Sequence, residues 1–162
     1  IYLHNVWVGK FKPMMKKNYP IGIQSFEEIR KGNYCYIDKT ALVYKLDESG
    51  KYYFLSRPRR FGKSLLISTL EAYFQGRKEL FEGLSMGKLE KEWIEYPILH
   101  LDLNAQKYDT PDSLYDMLND MLCGWESRYG TRPSETSLSL RFQGIIQRAA
   151  EKTGRNVVIL NR

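Results

Sequence analysis

The sequence predicts an α/β fold in which helices cover a parallel β-sheet. Three short apolar runs, at 51–55, 97–103 and 157–160, have the length and composition of buried strands. Helical patterns separate these runs, and the alternation of strands with helices is typical of a parallel sheet with helical crossovers. The 162 residues are 43% hydrophobic and 27% charged, a globular composition for one domain with a substantial core.

The first 14 residues are set apart from this fold. They hold aromatic and β-branched residues without turn signals, and Met14-Met15-Lys16-Lys17 looks like a natural start. We interpret 1–14 as a leader, a vector-derived addition or upstream translated sequence. The folded domain is therefore predicted to occupy 15–162.

Two short helices are predicted before the first strand. The spacing of Ser25 and Glu28 matches a capping box, and the helix that it starts ends near Gly32. Asp38 is then the predicted N-cap of a second helix over 39–48.

Further helices follow the first and second strands. An apolar stripe predicts a helix over 63–74, and the mixed residues of 78–93 indicate one or two short surface helices. Thr110 and Pro111 are a strong helix start, and a last helix is predicted over 137–152.

The segment between the first strand and the helix at 63–74 carries the candidate chemistry. Residues 56–64 read Ser-Arg-Pro-Arg-Arg-Phe-Gly-Lys-Ser, which ends as a phosphate-binding loop does. A helix N-terminus offers free N–H groups and partial positive charge, and Gly62 lets a phosphate oxygen approach the backbone. Lys63 would reach the β- and γ-phosphates, and the Ser64 hydroxyl would ligate Mg²⁺. The pattern predicts a P-loop NTPase-like sheet.

The first half of the loop departs from this motif. The motif has glycine five residues before Gly62, where this chain has Arg57. The loop 57–63 carries four positive charges and no acid. A triphosphate and a nucleic-acid backbone both match this charge, so ATP binding and non-enzymatic nucleic-acid binding stay open. The plainest alternative is a basic surface turn in which Lys63 is solvated.

Charge and cysteine content restrict the class of protein only broadly. The net charge of +6 permits phosphate binding without showing it. Cys35 and Cys123 lack metal-ligand spacing, which favours a reduced, cytoplasmic protein. No apolar run approaches the roughly 20 residues that a membrane-spanning helix needs.

Three segments of the chain resemble the predicted AAA-ATPase-like proteins that are abundant in gut anaerobic bacteria. The segments are 19–26, 36–40 and 54–64, and the likeness spans about 19–160. That family also has Arg-Pro-Arg-Arg-Phe-Gly-Lys-Ser in place of the usual first glycine. The resemblance implies that 15–162 is the N-terminal part of an ATP-binding P-loop domain. A PD-(D/E)XK-type nuclease domain follows in many members, which makes nucleic acid an implied partner.

The resemblance also implies a set of site residues. ATP and Mg²⁺ are the implied ligands, with Ser64 on the metal. The candidate nucleotide-binding residues are Arg57, Arg59, Arg60, Phe61, Gly62, Lys63, Ser64 and Leu65.

The end of the chain departs from the family pattern. The family continues the third strand into the acidic Walker B pair, whereas here 157–160 is followed by Asn161 and Arg162. We therefore expect a P-loop sheet truncated after its third core strand, with some nucleotide binding and impaired hydrolysis. Whether this chain is itself an enzyme stays open, and its oligomeric state is not predicted.

Two other groups of residues are weaker candidates. His100 and Asp102 share a strand face, and a strand-end polar pair is favoured over a catalytic pair because no nucleophile is identified beside them. Asp102 is kept as an additional contact near the nucleotide. The segment 19–23 could line an adenine pocket or cap the edge of the core.

Overall fold

The computed structural model describes residues 17–50, 52–56, 58, 61–104 and 110–162. The elements in this part of the chain are, in order, α1 (Phe26–Lys31), α2 (Thr40–Ser49), α3 (Lys63–Phe74), a 3-10 helix (Lys78–Phe81), α4 (Met86–Leu89), β1 (Ile98–Leu101), α5 (Pro111–Tyr129), α6 (Leu138–Thr153) and β2 (Val158–Asn161). This mixture agrees with the predicted α/β class, and α3 has the predicted bounds.

The sheet has two parallel strands. β1 and β2 pair in a register that sets Ile98 beside Val158 and Leu101 beside Asn161. The chain passes from β1 to β2 through α5 and α6, the long crossover that a parallel pair requires. The predicted second and third strands are therefore confirmed, with bounds shifted by a few residues.

Helices cover both faces of this sheet. Leu99 is fully buried in a cluster with residues of α5 and α6, which are Leu122, Tyr129, Ile145 and Ala149. Its neighbour His100 points to the opposite face, where its Nδ1 lies 3.3 Å from Oε2 of Glu71 in α3. Tyr96 also donates its N–H to the carbonyl of Phe74 at the end of α3. The sheet therefore lies between α3 and the α5–α6 pair.

A second core forms among α1–α4 and the 3-10 helix. Phe26 of α1 and Phe81 of the 3-10 helix are both fully buried, with ring centroids 4.9 Å apart. Val43, Tyr73 and Met86 belong to the same cluster. Burying each of these side chains stabilises the fold by roughly 1.5–3 kcal/mol. The short helices predicted over 78–93 exist, but the prediction that they lie on the surface is wrong, because their apolar residues belong to this core. Helical segments of four residues are too short to show which face is buried.

Local capping explains where several helices begin. The Ser25 hydroxyl accepts the N–H of Glu28 at 3.2 Å, and that of Ser137 accepts the N–H of Leu140 at 3.3 Å. Thr110 caps α5 through a capping box with Ser113, directly before Pro111. Among the described residues, no helix combines the length and the apolarity needed to cross a membrane.

The predicted strand at 51–55 is the main error in the fold prediction. Its residues 52–55 are described, and they belong to neither strand of the sheet. Tyr52 and Phe54 are each 95% exposed rather than buried. A strand exists only through pairing with a neighbour, and the composition of a segment does not show where that neighbour lies.

Candidate functional site

The candidate loop ends in a helix start whose first N–H groups have no acceptor within the helix. Gly62 precedes α3 with φ of 74°, in the left-handed region that glycine adopts without strain. The first helical hydrogen bond runs from the N–H of Leu66 to the carbonyl of Gly62, at 3.0 Å. The N–H groups of Lys63, Ser64 and Leu65 therefore have no acceptor inside the helix.

The backbone conformation at position 62, rather than a lack of space for a side chain, explains why this residue is glycine. A Cβ added at Gly62 would meet no other atom within 4 Å in the described part of the chain. Within the described residues, nothing therefore blocks the approach of a phosphate oxygen to this backbone.

The charge at this helix start is favourable for an anion. The first turn of α3 contains no acidic residue, and Lys63 is exposed there. The partial positive charge of the helix N-terminus adds to that of the ammonium group. Phe61 is 63% exposed, whereas Leu65 packs against the core of α1–α4. Leu65 can therefore offer its backbone N–H to a ligand, while its side chain anchors the helix.

The rest of α3 is firmly mounted. Thr69 and Tyr73 are buried, and the hydroxyl of Thr69 donates to the carbonyl of Leu65 at 2.8 Å. The Ser68 hydroxyl accepts the N–H of Phe26 at 2.8 Å, which ties the start of α1 to α3. Because these contacts hold α3 in place, the N–H groups of its first turn keep a fixed orientation.

Asp38 joins two helix starts on the core that supports α3. Its Oδ1 accepts the N–H of Thr40 at 2.9 Å and the Thr40 hydroxyl at 2.7 Å. Its Oδ2 accepts both the N–H and the hydroxyl of Ser85, each at 2.7 Å. Burial opposes the charged form, but these hydrogen bonds outweigh it and lower the pKa of Asp38 to about 2. The second helix begins one residue later than predicted, with Lys39 at its N-cap, although Asp38 does hold the helix start through the N–H of Thr40. No local sequence signal indicated the contact with Ser85.

His100 and Asp102 form no catalytic arrangement with a described nucleophile. His100 faces Glu71 of α3. Asp102 accepts the N–H of Asn104 at 3.0 Å, and its Oδ1 lies 3.8 Å from Nε of Arg162, beyond the end of β2. The polar pair at a strand end is thus the better interpretation, and a contact of Asp102 with nucleotide stays a prediction.

The remaining predicted residues divide into two groups. Arg57, Arg59 and Arg60 lie outside the described residues. Tyr19 and Ile21 are 77% and 91% exposed, so these two side chains do not cap the edge of the core, whereas Pro20 and Ile23 are half-buried. An adenine pocket lined by 19–23 stays a prediction.

A metal ion at this loop would depend on few protein ligands. The described residues contain no group of three or more His, Cys, Asp or Glu side chains placed to hold a metal ion. Mg²⁺ keeps several waters and is commonly bound by one or two protein groups together with substrate phosphates. The exposed helix start with the Ser64 hydroxyl fits that mode of binding.

Comparison with known proteins defines the class. The family model described as a predicted AAA-ATPase, AAA-ATPase_like, matches residues 20–161. An "Uncharacterized protein in vnfD 5'region" of Azotobacter chroococcum mcd 1 is 36% identical over 148 residues, or 91% of this chain. The chain spans 29% of the length of that relative. No solved structure matches. The chain belongs to the AAA-ATPase-like family.

Proposed function

We propose that this chain binds ATP with Mg²⁺ through the loop at 57–65, as the nucleotide-binding part of an AAA-like ATPase. One observation carries the proposal: left-handed Gly62 opens an anchored helix whose first N–H groups lack intrahelical acceptors. Membership in the family supports the choice of ATP as the ligand.

Each residue of the loop has a distinct part in this proposal. The N–H groups at 63–65 donate to phosphate oxygens, and the ammonium of Lys63 offsets charge on the β- and γ-phosphates. The Ser64 hydroxyl is the protein ligand of Mg²⁺, which neutralises phosphate charge when bound. Arg57, Arg59 and Arg60 add positive charge along the loop. The loop contains no carboxylate, so the proposal covers binding rather than hydrolysis.

Thermal unfolding with and without nucleotide tests the proposal. A ligand at 100 times its Kd stabilises the folded state by about 2.7 kcal/mol. For a domain of this size, that corresponds to a rise in Tm of roughly 5–10 °C. Mg-ATP should produce this rise in the unmodified chain, and ATP with EDTA should produce a smaller one.

Two variants separate a site from a general charge effect. Lys63→Ala should abolish most of the rise in Tm. Lys88→Ala removes the same charge from an exposed position in α4 and should leave the rise intact. An equal response to Mg-ATP in Lys63→Ala and the unmodified chain would refute the proposal.

Nucleic-acid binding is a second candidate, supported by the charge of the loop and the exposure of Phe61. Four cations at 57–63 and an aromatic ring that is 63% exposed fit a single strand, which proteins hold by phosphate contacts and base stacking. Its affinity should fall steeply with salt, in proportion to the phosphates contacted. A fluorescent oligonucleotide that does not bind at low salt would exclude this candidate.

A further inference from the structure

An open cavity of about 520 Å³ lies beside the C-terminal end of α3. Residues of α2, α3, α4 and the segment that follows α4 line it, and its volume is within the range of small-ligand sites. Its walls combine three tyrosine rings with three carboxylates, which belong to Tyr44, Tyr73, Tyr96, Asp47, Glu90 and Glu92. The cavity is therefore both aromatic and acidic.

Two of these carboxylates converge on one hydroxyl group. The hydroxyl of Tyr73 lies 2.7 Å from Oε2 of Glu90 and 3.0 Å from Oδ2 of Asp47. Burial and the two carboxylates raise the pKa of Tyr73, so the hydroxyl keeps its proton at neutral pH. A hydroxyl donates one proton and an ionised carboxylate only accepts, so this hydroxyl satisfies one carboxylate at a time. A cation at the same place would satisfy the other.

In the described part of the chain, no cation of the protein takes that position. Lys91 also lines the cavity, but its side chain is exposed and has no ion-pair partner among the described residues. Three carboxylates thus face the cavity together with one ammonium group, in a protein whose net charge is +6. The charge of the cavity is opposite in sign to that of the whole chain.

Two helix ends add to the negative potential of the cavity. Asp47 lies in the last turn of α2, and Tyr73 lies in the last turn of α3. The C-terminus of a helix carries about half a negative charge. Neither of these last turns contains a basic residue that would offset it.

We propose that this cavity binds an organic cation through its alkylammonium or guanidinium group. Tyrosine rings suit such a group, because a cation is attracted to an aromatic face within about 6 Å of its centre. A metal ion fits less well, since the described residues contain no group of three or more His, Cys, Asp or Glu side chains placed to hold one. Free polyamines and the basic side chains of a peptide both offer this chemistry, and the test distinguishes the two sources.

The cavity is separate from the candidate nucleotide site. Tyr73 follows Lys63 by ten positions, which is about 15 Å along α3. The described residues that line the cavity include none from the loop at 57–65. The proposal therefore does not rest on the proposed function, and its test contains no nucleotide.

Equilibrium dialysis with labelled spermidine and with a labelled, end-blocked trilysine peptide tests the proposal. At least one of these cations should bind the unmodified chain. Binding of spermidine alone assigns the cavity to small polyamines, binding of the peptide alone assigns it to a basic protein segment, and binding of both supports the shared chemistry. The same peptide with acetylated lysines has lost its charge and should not bind. A failure of both cations to bind would overturn the proposal.

Three variants with the same change of charge locate the site. Asp47→Asn and Glu90→Gln each remove one carboxylate from the cavity but keep an oxygen that accepts from Tyr73, and each should weaken binding at least about fivefold. Glu82→Gln removes an exposed carboxylate that does not line the cavity and should leave the affinity unchanged. Thermal unfolding of each variant shows whether it keeps its fold, and Asp47 is exposed, so its variant should keep it. Equal affinities in all four proteins would overturn the proposal, as would Mg²⁺ binding that depends on the same two carboxylates and displaces the organic cation.

Discussion

Asp38→Asn is predicted to destabilise the domain, and to do so less as the pH falls. The carboxylate accepts hydrogen bonds from the N–H and hydroxyl groups of both Thr40 and Ser85. The amide retains one oxygen, while its NH₂ group faces the donors of one partner residue. The substitution therefore removes some of the hydrogen bonds that connect the start of α2 to the start of α4.

The magnitude follows from the hydrogen bonds and from the pKa. Lowering the pKa of Asp38 from 3.8 to about 2 would correspond to roughly 2.5 kcal/mol for a shielded carboxylate. The residue is exposed, so solvent screening reduces this contribution to about 1 kcal/mol. Lost hydrogen bonds add about 1 kcal/mol. The total of about 2 kcal/mol lowers the Tm at neutral pH by roughly 4–8 °C.

The pH dependence has a definite sign. A carboxylate with a lowered pKa stabilises the folded state above the unfolded pKa of 3.8, and this stabilisation is lost as the pH falls toward 2. The variant has no such ionisation, so the difference in unfolding free energy between the two proteins should shrink from pH 6 to pH 3.

Chemical denaturation at several pH values provides the measurement. The other carboxyl groups are the same in both proteins, so their effect on the unfolding free energy cancels when the two are compared at each pH. Asp120→Asn, at an exposed position of α5, is the control for a change of one charge. A difference in unfolding free energy that stays constant between pH 6 and pH 3 would refute the electrostatic part of this reasoning. The absence of any destabilisation would refute the whole of it.

Two further predictions use matched pairs of positions. Gly144→Ala should lower the Tm, because its Cβ would collide with Glu135 and Arg148, which form an ion pair. A Cβ at Gly124 would meet no described atom within 4 Å, so Gly124→Ala should stabilise α5 by about 0.5–1 kcal/mol. Equal shifts of the two variants in thermal unfolding would contradict this. Leu99→Ala should cost about 2–5 kcal/mol in unfolding free energy, because Leu99 is fully buried. Ile159→Ala, at the partner position in the sheet, should cost much less because that side chain is 45% exposed, and comparable losses in denaturation experiments would show that Ile159 is covered.

Local sequence signals predicted the helices, whereas features that depend on contacts between distant residues were not predicted. Ser25, Thr110 and Ser137 act within three residues of themselves, so their capping roles could be predicted from the sequence. The bond between Asp38 and Ser85 spans 47 positions, and no local pattern indicates it. The strand predicted at 51–55 is wrong for the same reason, since the pairing of a strand depends on a neighbour elsewhere in the chain.

The candidate site is predictable to the extent that it is local. Gly62, Lys63 and Ser64 form a helix start because of their own sequence, and the structure places them at the start of α3. What holds that start in place comes from distant residues. Phe26, 42 positions before Ser68, donates to its hydroxyl, and such a partner cannot be inferred from the loop.

The position of α3 indicates how a ligand at its start would act on the whole domain. The helix is buried in the core of α1–α4 through Thr69 and Tyr73, and it meets the sheet through Glu71 and the carbonyl of Phe74. α3 is therefore part of one core and contacts the sheet that carries the other. A ligand that binds only the ordered helix start stabilises every structure on which that order depends. Mg-ATP should consequently slow hydrogen exchange in α1 and β1 as well as in the loop, and protection confined to 61–66 would show that α3 does not join the two cores energetically.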